Sequence, residues 1–440
     1  MALVPKTATQ MLFAALLTGS RAFGQIDAAP PEPLFTGQIN RLLPSWISFS
    51  GEERLRMEGY ENGGLKPPND GYFLLQRFRW GVTLRPTRWL KIVGQTQDAR
   101  AFFQDTTPTS TFQDTWDLRQ AYAEIGDTEK SPVALRVGRQ EMRLGGERLV
   151  GVSNWRNTSR SFDAARLTLR KGKFRLDTFA ASEVILRDGQ LGSADAGNNL
   201  YGLYGVVTDL IPRSTLEPYL LWRLQPGVAA ETGGTGHLDA KLSGVRWVGK
   251  VRSADYAVGL IFERGSVLKD HINAWASHWL AGYTFQTPWT PRIFGEFNYA
   301  TGDGNPKDGQ RNTFDQLYAT NHDRYGLADA VGWRNMVHTR VGVDTNPRPG
   351  WTASVRGSLY WLADAHDALY NTSGQVVAQR ANGSAGRWVG TELDVLTRHP
   401  VGKSSEVGVG FAHIFPGTFL KLVTPGHGIN SPYIYFSSRL

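Results

Sequence analysis

A chain of 440 residues with no cysteine has no disulfide, thiolate chemistry or Cys-based metal site. Its 48 Lys and Arg outnumber 40 Asp and Glu, for a net charge of +8. These charges are scattered singly, which argues against a basic tail on nucleic acid and points to a membrane surface or an anionic substrate.

The N-terminus reads as an address. Lys6 gives a basic start, "MLFAALLTG" (11–19) a short apolar stretch and "AFG" (22–24) a small-x-small site, so residues 1–24 are expected to be an export signal cleaved before Gln25. No later segment approaches the ~18 apolar residues of a membrane helix. Residues 25–45, with "DAAPPEPLFTGQINRLLP", are Pro-rich and polar. An extended periplasmic segment is expected there, placed to plug or gate the lower mouth.

From residue 46 to 440 the period is two. In "QRFRWGVTL", Phe78, Trp80, Val82 and Leu84 alternate with Arg77, Arg79 and Thr83. In "RNMVHTRVGVD", Val337, Val341 and Val343 oppose His338, Arg340 and Asp344. "WTASVRGSLYW" sets Val355 and Leu359 against Ser354, Arg356 and Ser358. That is strand periodicity. It predicts 18 strands, starting near 46, 71, 88, 116, 132, 160, 173, 200, 216, 240, 254, 275, 291, 331, 350, 386, 404 and 431. The connectors alternate short and long. "RKGK" (170–173) and "NPRPG" (346–350) are short; 143–159, the Gly-rich stretches after Arg187 and Gln225, and 301–330 are long. The fold class that follows is all-β: a transmembrane antiparallel β-barrel of about 18 strands, with short periplasmic turns and long extracellular loops, in the cell outer membrane. Its outward face meets lipid and its lumen is wide enough for water. Trp46, Trp89, Trp116, Trp289 and Trp351 suit the interfacial girdles.

The stretch 136–170 carries eight arginines and three acidic residues. By parity Arg54, Arg56, Arg77, Arg79, Arg136, Arg166, Arg170, Arg223, Arg340 and Arg356 point inward. Arg139 shares the outward parity of Leu135 and Val137, and needs a bulge near Gly138 to turn inward. Expected counter-charges are Glu52, Glu141, Asp163, Asp177, Glu217, Glu296, Glu392 and Asp394, leaving a positive excess. Guanidinium groups around a narrow aqueous pore favour anions, and they hold carboxylates in bidentate fashion.

"GRQEMRLGGERLVGVSNWRNTSRSFDAARL" (138–167), "NTFDQLYATNHDRYGLADAVGWRN" (312–335) and "FAHIFPGTFLK" (411–421) together resemble the alginate-export family of outer-membrane barrels. The resemblance implies an 18-stranded barrel whose arginine-lined, electropositive pore passes an anionic polysaccharide, and a monomer. It makes Arg139, Arg143, Arg148, Arg156, Arg160 and Arg166 the constriction candidates. Expected partners are outer-membrane lipid, an anionic carbohydrate and periplasmic export proteins, with no nucleic acid. The alternative is an anion-preferring porin for small sugars or organic acids; a third reading is a barrel enzyme or adhesin working through its loops. No cofactor or catalytic residue is expected: neither a G-x-S-x-G elbow nor an HExxH is present. "DGNPKDG" (303–309) lacks the bidentate Glu of a calcium loop, and nothing fixes His322 and His338 as metal ligands. The 301–330 loop is a further candidate constriction.

Overall fold

Alternating apolar and polar residues force each segment into a strand with one face for lipid and one for the interior. In a bilayer, such strands satisfy their backbone polar groups only if the sheet closes. The computed structural model describes residues 33–65, 69–103, 109–320 and 322–440, so the expected signal peptide lies outside the described residues. A short helix, α1 (Thr36–Leu42), precedes β1 (Ile47–Tyr60), β2 (Gly71–Thr87), β3 (Leu90–Phe102), β4 (Asp114–Ile125), β5 (Val133–Gln140) and β6 (Phe162–Lys171). Then come β7 (Phe174–Arg187), β8 (Gln190–Thr208), β9 (Ser214–Ala229), β10 (Thr235–Val251), β11 (Ala254–Val267) and β12 (Asp270–Thr284). The last six are β13 (Arg292–Ala300), β14 (Met336–Thr345), β15 (Thr352–Leu362), β16 (Trp388–Val401), β17 (Ser405–Pro416) and, after a short helix α2 (Thr418–Val423), β18 (Ile429–Arg439).

Each strand pairs antiparallel with its neighbours, and β1 pairs with β18 from Glu52↔Arg439 to Glu58↔Tyr433. Among the described residues this is a closed barrel of 18 strands. Outward positions such as Leu55, Met57, Val133, Leu135, Val137, Val341 and Val343 are exposed, while inward neighbours are buried. The five girdle tryptophans are 39–64% exposed. Trp46, Trp89, Trp289 and Trp351 stand at the periplasmic rim, and Trp116 at the opposite one.

Three expectations are corrected. The Gly-rich stretches after Arg187 and Gln225 are not long loops. The β7–β8 and β9–β10 ladders run on through them, and β7 turns into β8 at Asp188–Gly189. The segment before the barrel is not simply extended: α1 is pinned to the seam, where Leu34 N–H donates to Arg439 O (3.0 Å) and Phe35 stacks on the outward-facing Trp80.

The third correction concerns Arg139. Gly138 has φ +118°, and a Cβ there would lie 2.3 Å from Ala121 O, but the irregularity does not turn Arg139 inward. Arg139 is in register with Ala121 and Asp163 on the outward parity. It holds Asp163 by two bonds (2.8 and 3.0 Å) and donates to Leu118 O and Gly192 O. Neither Arg139 nor Asp163 belongs to the interior. The pair staples the β7–β8 hairpin over the gap left above the short β5 and β6, where Asp188 takes Gln113 and Thr115 on β4's side.

Candidate functional site: two loops paired inside the barrel

β5 and β6 are short because the chain between them, 141–161, leaves the wall and folds into the barrel. A loop drawn away from bulk water needs partners for its carbonyls, and the inward arginines of β1 and β2 supply them. Arg54 donates to Asn154 O (2.9 Å) and Trp155 O (3.1 Å). Arg56 donates to Trp155 O and lies 3.9 Å above its ring. Arg77 donates to Asn154 O (2.9 Å) and pairs with Glu52. Arg79 reaches Ser159 Oγ (2.7 Å). These four candidates therefore clamp the loop.

The 301–335 loop also turns inward and pairs with the first. Tyr318 N–H donates to Leu149 O (2.8 Å), Gly151 N–H to Tyr318 O (3.0 Å) and Thr320 N–H to Glu147 O (2.9 Å). Arg160 bonds Tyr318 O and Glu183. The Trp155 and His322 rings stack in parallel at 3.8 Å. The far wall receives this second loop on carboxylates. Leu327 N–H donates to Asp394 and Ala328 N–H to Glu392 (2.9 Å), which also accepts from Tyr360 OH. Gly326, at φ +114°, makes that approach: a Cβ would lie 2.3 Å from a Glu392 oxygen. Glu296 binds both Arg148 and Arg340, and Arg356 pairs with Asp323 of the loop.

Most of the remaining candidates have carboxylate or carbonyl partners of their own. Arg136 meets Glu124, Arg166 meets Asp177 (2.8 Å), and Arg170 donates to Thr128 O (2.9 Å). Arg143 bridges Glu141 and Glu147, Arg223 pairs with Asp315, and Glu217 takes Arg246. Glu141 is pushed up by burial, but Arg119, Arg143 and Arg79 outweigh that and hold it at about 2. Arg156 differs: its guanidinium bonds no other described residue. Burial and the nearby Arg160 lower it to about 10, so it stays charged at neutral pH. It lines both a cavity of about 620 Å³, shared with Arg56, Trp155 and His322, and one of about 500 Å³, shared with Arg160, Arg223, Arg311 and Arg334. A third cavity, about 290 Å³, holds Arg136, Arg143, Arg166 and Arg175.

The suspected metal residues are not brought together: His322 bonds Asp329, and His338 bonds Asn298. Sequence reasoning passed over Trp155, Glu183, Arg311, Asp315 and Arg334. All but Glu183 lie in the segments between barrel strands, Arg311 in a two-residue strand paired with β12, where the barrel's parity has no meaning; in the first two sequence blocks, aromatics set among charges were the available signal.

The family model for alginate export matches residues 45–431. The chain belongs to the alginate-export family. No curated protein matches it. Among solved structures, this family member is similar to Acinetobacter baumannii OccAB2 (TM-score 0.60, 12% identity, 90% of this chain and 99% of that one). Pseudomonas aeruginosa OpdK, solved with vanillate, is similar too (TM-score 0.59, 11% identity, 89% and 98%), as is OccD3 of the same organism (TM-score 0.58, 11% identity, 94% and 99%). At these identities the likeness concerns the fold, that of outer-membrane porins. Family and fold are those of channels: the chain is an outer-membrane barrel in contact with lipid, and it passes a substrate.

Proposed function

We propose that this barrel passes an anionic polysaccharide of the polyuronate kind. The observation that carries the reading is Arg156, a guanidinium with no hydrogen-bond or ion-pair partner among the described residues, between two cavities, the second of which Arg160, Arg223, Arg311 and Arg334 line beside Glu183 and Asp315. Low-dielectric walls focus the field of such a group, and guanidinium binds carboxylate in a matched fork. Carboxylates repeated along a polymer would move from one weak contact to the next. The loops that clamp and pair inside the barrel are the element that must give way for a polymer, so gating lies in their docking contacts.

A second reading has its own observation. With the loops docked, the interior is divided into cavities of about 620, 500 and 290 Å³, which suit a few sugar units or a small organic acid. OpdK was solved with vanillate, itself a carboxylate. The test is block of single-channel current by uronate oligomers of rising length. Block that tightens with length, and weakens at least tenfold in Arg156→Ser, supports the polymer path. Block by monomer alone selects the small-anion porin.

A further inference from the structure

The outward face raises a question of charge that the lumen does not answer. Across β8 to β12 one row of residues lies in direct register: Tyr201↔Trp222, Trp222↔Lys241, Lys241↔Arg264 and Arg264↔Asn273. Its outward parity is that of Leu220 and Phe262, the exposed apolar residues one step toward the periplasm. The row therefore begins as an aromatic girdle, with the Tyr201 and Trp222 rings 5.3 Å apart, and continues as two cations placed opposite each other on adjacent strands. Like charges directly opposite on one sheet face are unfavourable unless something neutralises them. Both side chains are exposed.

The charges facing this pair are few. Asp239 on β10 bonds Lys241 (2.7 Å) and accepts from Trp222 Nε1 (2.8 Å). Among the described residues Arg264 bonds no carboxylate: it donates to the backbone oxygens of Glu263 (2.7 Å) and Ala274 (3.0 Å) and lies 6.0 Å from the Phe262 ring. One carboxylate for two cations leaves a positive excess at the height of the extracellular girdle. A cation in that position meets the headgroup layer of the outer leaflet.

We infer that Lys241 and Arg264 form a docking site for the phosphate groups of an outer-leaflet glycolipid, with the acyl chains lying along Leu220 and Phe262 below. An ammonium and a guanidinium side by side offer charge-assisted bonds to a phosphate. Trp222 stands beside the lysine on the neighbouring strand, its ring centroid 5.7 Å from Nζ. The inference rests on the barrel and its register, not on what passes through the lumen.

The test is binding of bisphosphorylated lipid A to the detergent-solubilised full chain by native mass spectrometry. The probes are bisphosphorylated and dephosphorylated lipid A, with the Lys241→Gln/Arg264→Gln double variant alongside. Each cation near an anionic headgroup layer contributes about a fivefold gain in binding, so the double variant is expected to lose roughly 30-fold. Dephosphorylated lipid A is expected to bind the wild type no better than the phosphorylated lipid binds that variant. A Lys171→Gln/Lys250→Gln variant at the periplasmic ends of β6 and β10 is the control and keeps wild-type binding. Heat-modifiable gel mobility confirms that every variant is a folded barrel. Equal binding of the two lipids, or full binding by the double variant, overturns the inference.

Discussion

Replacing Arg77 with methionine removes the centre of the clamp while keeping most of its volume. Arg77 is 1% exposed; it pairs with Glu52 and donates to Asn154 O at 2.9 Å, with a longer contact to Arg156 O at 3.4 Å. Removing one partner of a buried ion pair costs about 3–5 kcal/mol. Two backups temper this: Arg79 remains 3.6 Å from Glu52, and Arg54 still holds Asn154 O. The lower end, about 3 kcal/mol, is therefore expected. If all of it falls on loop docking, the undocked population rises about 150-fold, at tenfold per 1.4 kcal/mol. Single-channel recording reads this as more frequent and longer high-conductance openings, and urea unfolding reads the loss of stability. Openings and unfolding both unchanged from wild type would refute the idea that the strand arginines hold the 141–161 loop in place.

Arg156→Ser should leave unfolding within about 0.5 kcal/mol of wild type, because its guanidinium has no hydrogen-bond partner among the described residues, yet reduce the anion-to-cation permeability ratio. Arg139→Leu should destabilise the barrel by about 1.5–3 kcal/mol, because the half-exposed Asp163 on the outward face loses its charged hydrogen bonds; Arg139→Leu/Asp163→Leu should recover most of that, with conductance unchanged throughout. Glu231, beyond the end of β9, is raised to about 8 by burial and by the adjacent Asp303 carboxyl. A raised carboxyl pKa means its contribution is intact below about 4.5 and is lost as pH climbs through 8. Limited proteolysis of the 230–234 and 301–335 loops should accelerate across that window in the wild type, and the Glu231→Gln profile should be flat.

Strand content was legible because lipid on one side and a polar interior on the other impose a period of two. Most expected starts fall within about two residues of the observed ones, as at β1, β2, β11 and β17. The largest miss, β8 at Gln190 rather than 200, lies in "QLGSADAGNN", where small and polar residues erase the alternation although the backbone ladder continues. Parity also placed Arg54, Arg77, Arg340 and Arg356 on the inner face. It was right about Arg139 as well, where the reliance on a bulge at Gly138 was wrong. Alternation carries no information about what an inward side chain meets. That Arg54 and Arg77 hold carbonyls of a loop some 80 to 100 residues away, or that Trp155 stacks on His322, depends on long-range docking that no local pattern records.

An anionic path requires that a net guanidinium field remain in the lumen after the paired arginines are discounted. The most direct measurement is the zero-current potential of the wild-type barrel in a planar bilayer under a KCl gradient. A reversal potential on the chloride side, shrinking in Arg156→Ser, is the expected result. A potential on the potassium side would mean that Glu58, Glu183, Asp315 and their neighbours outweigh the arginines, and would contradict an anionic path through this barrel.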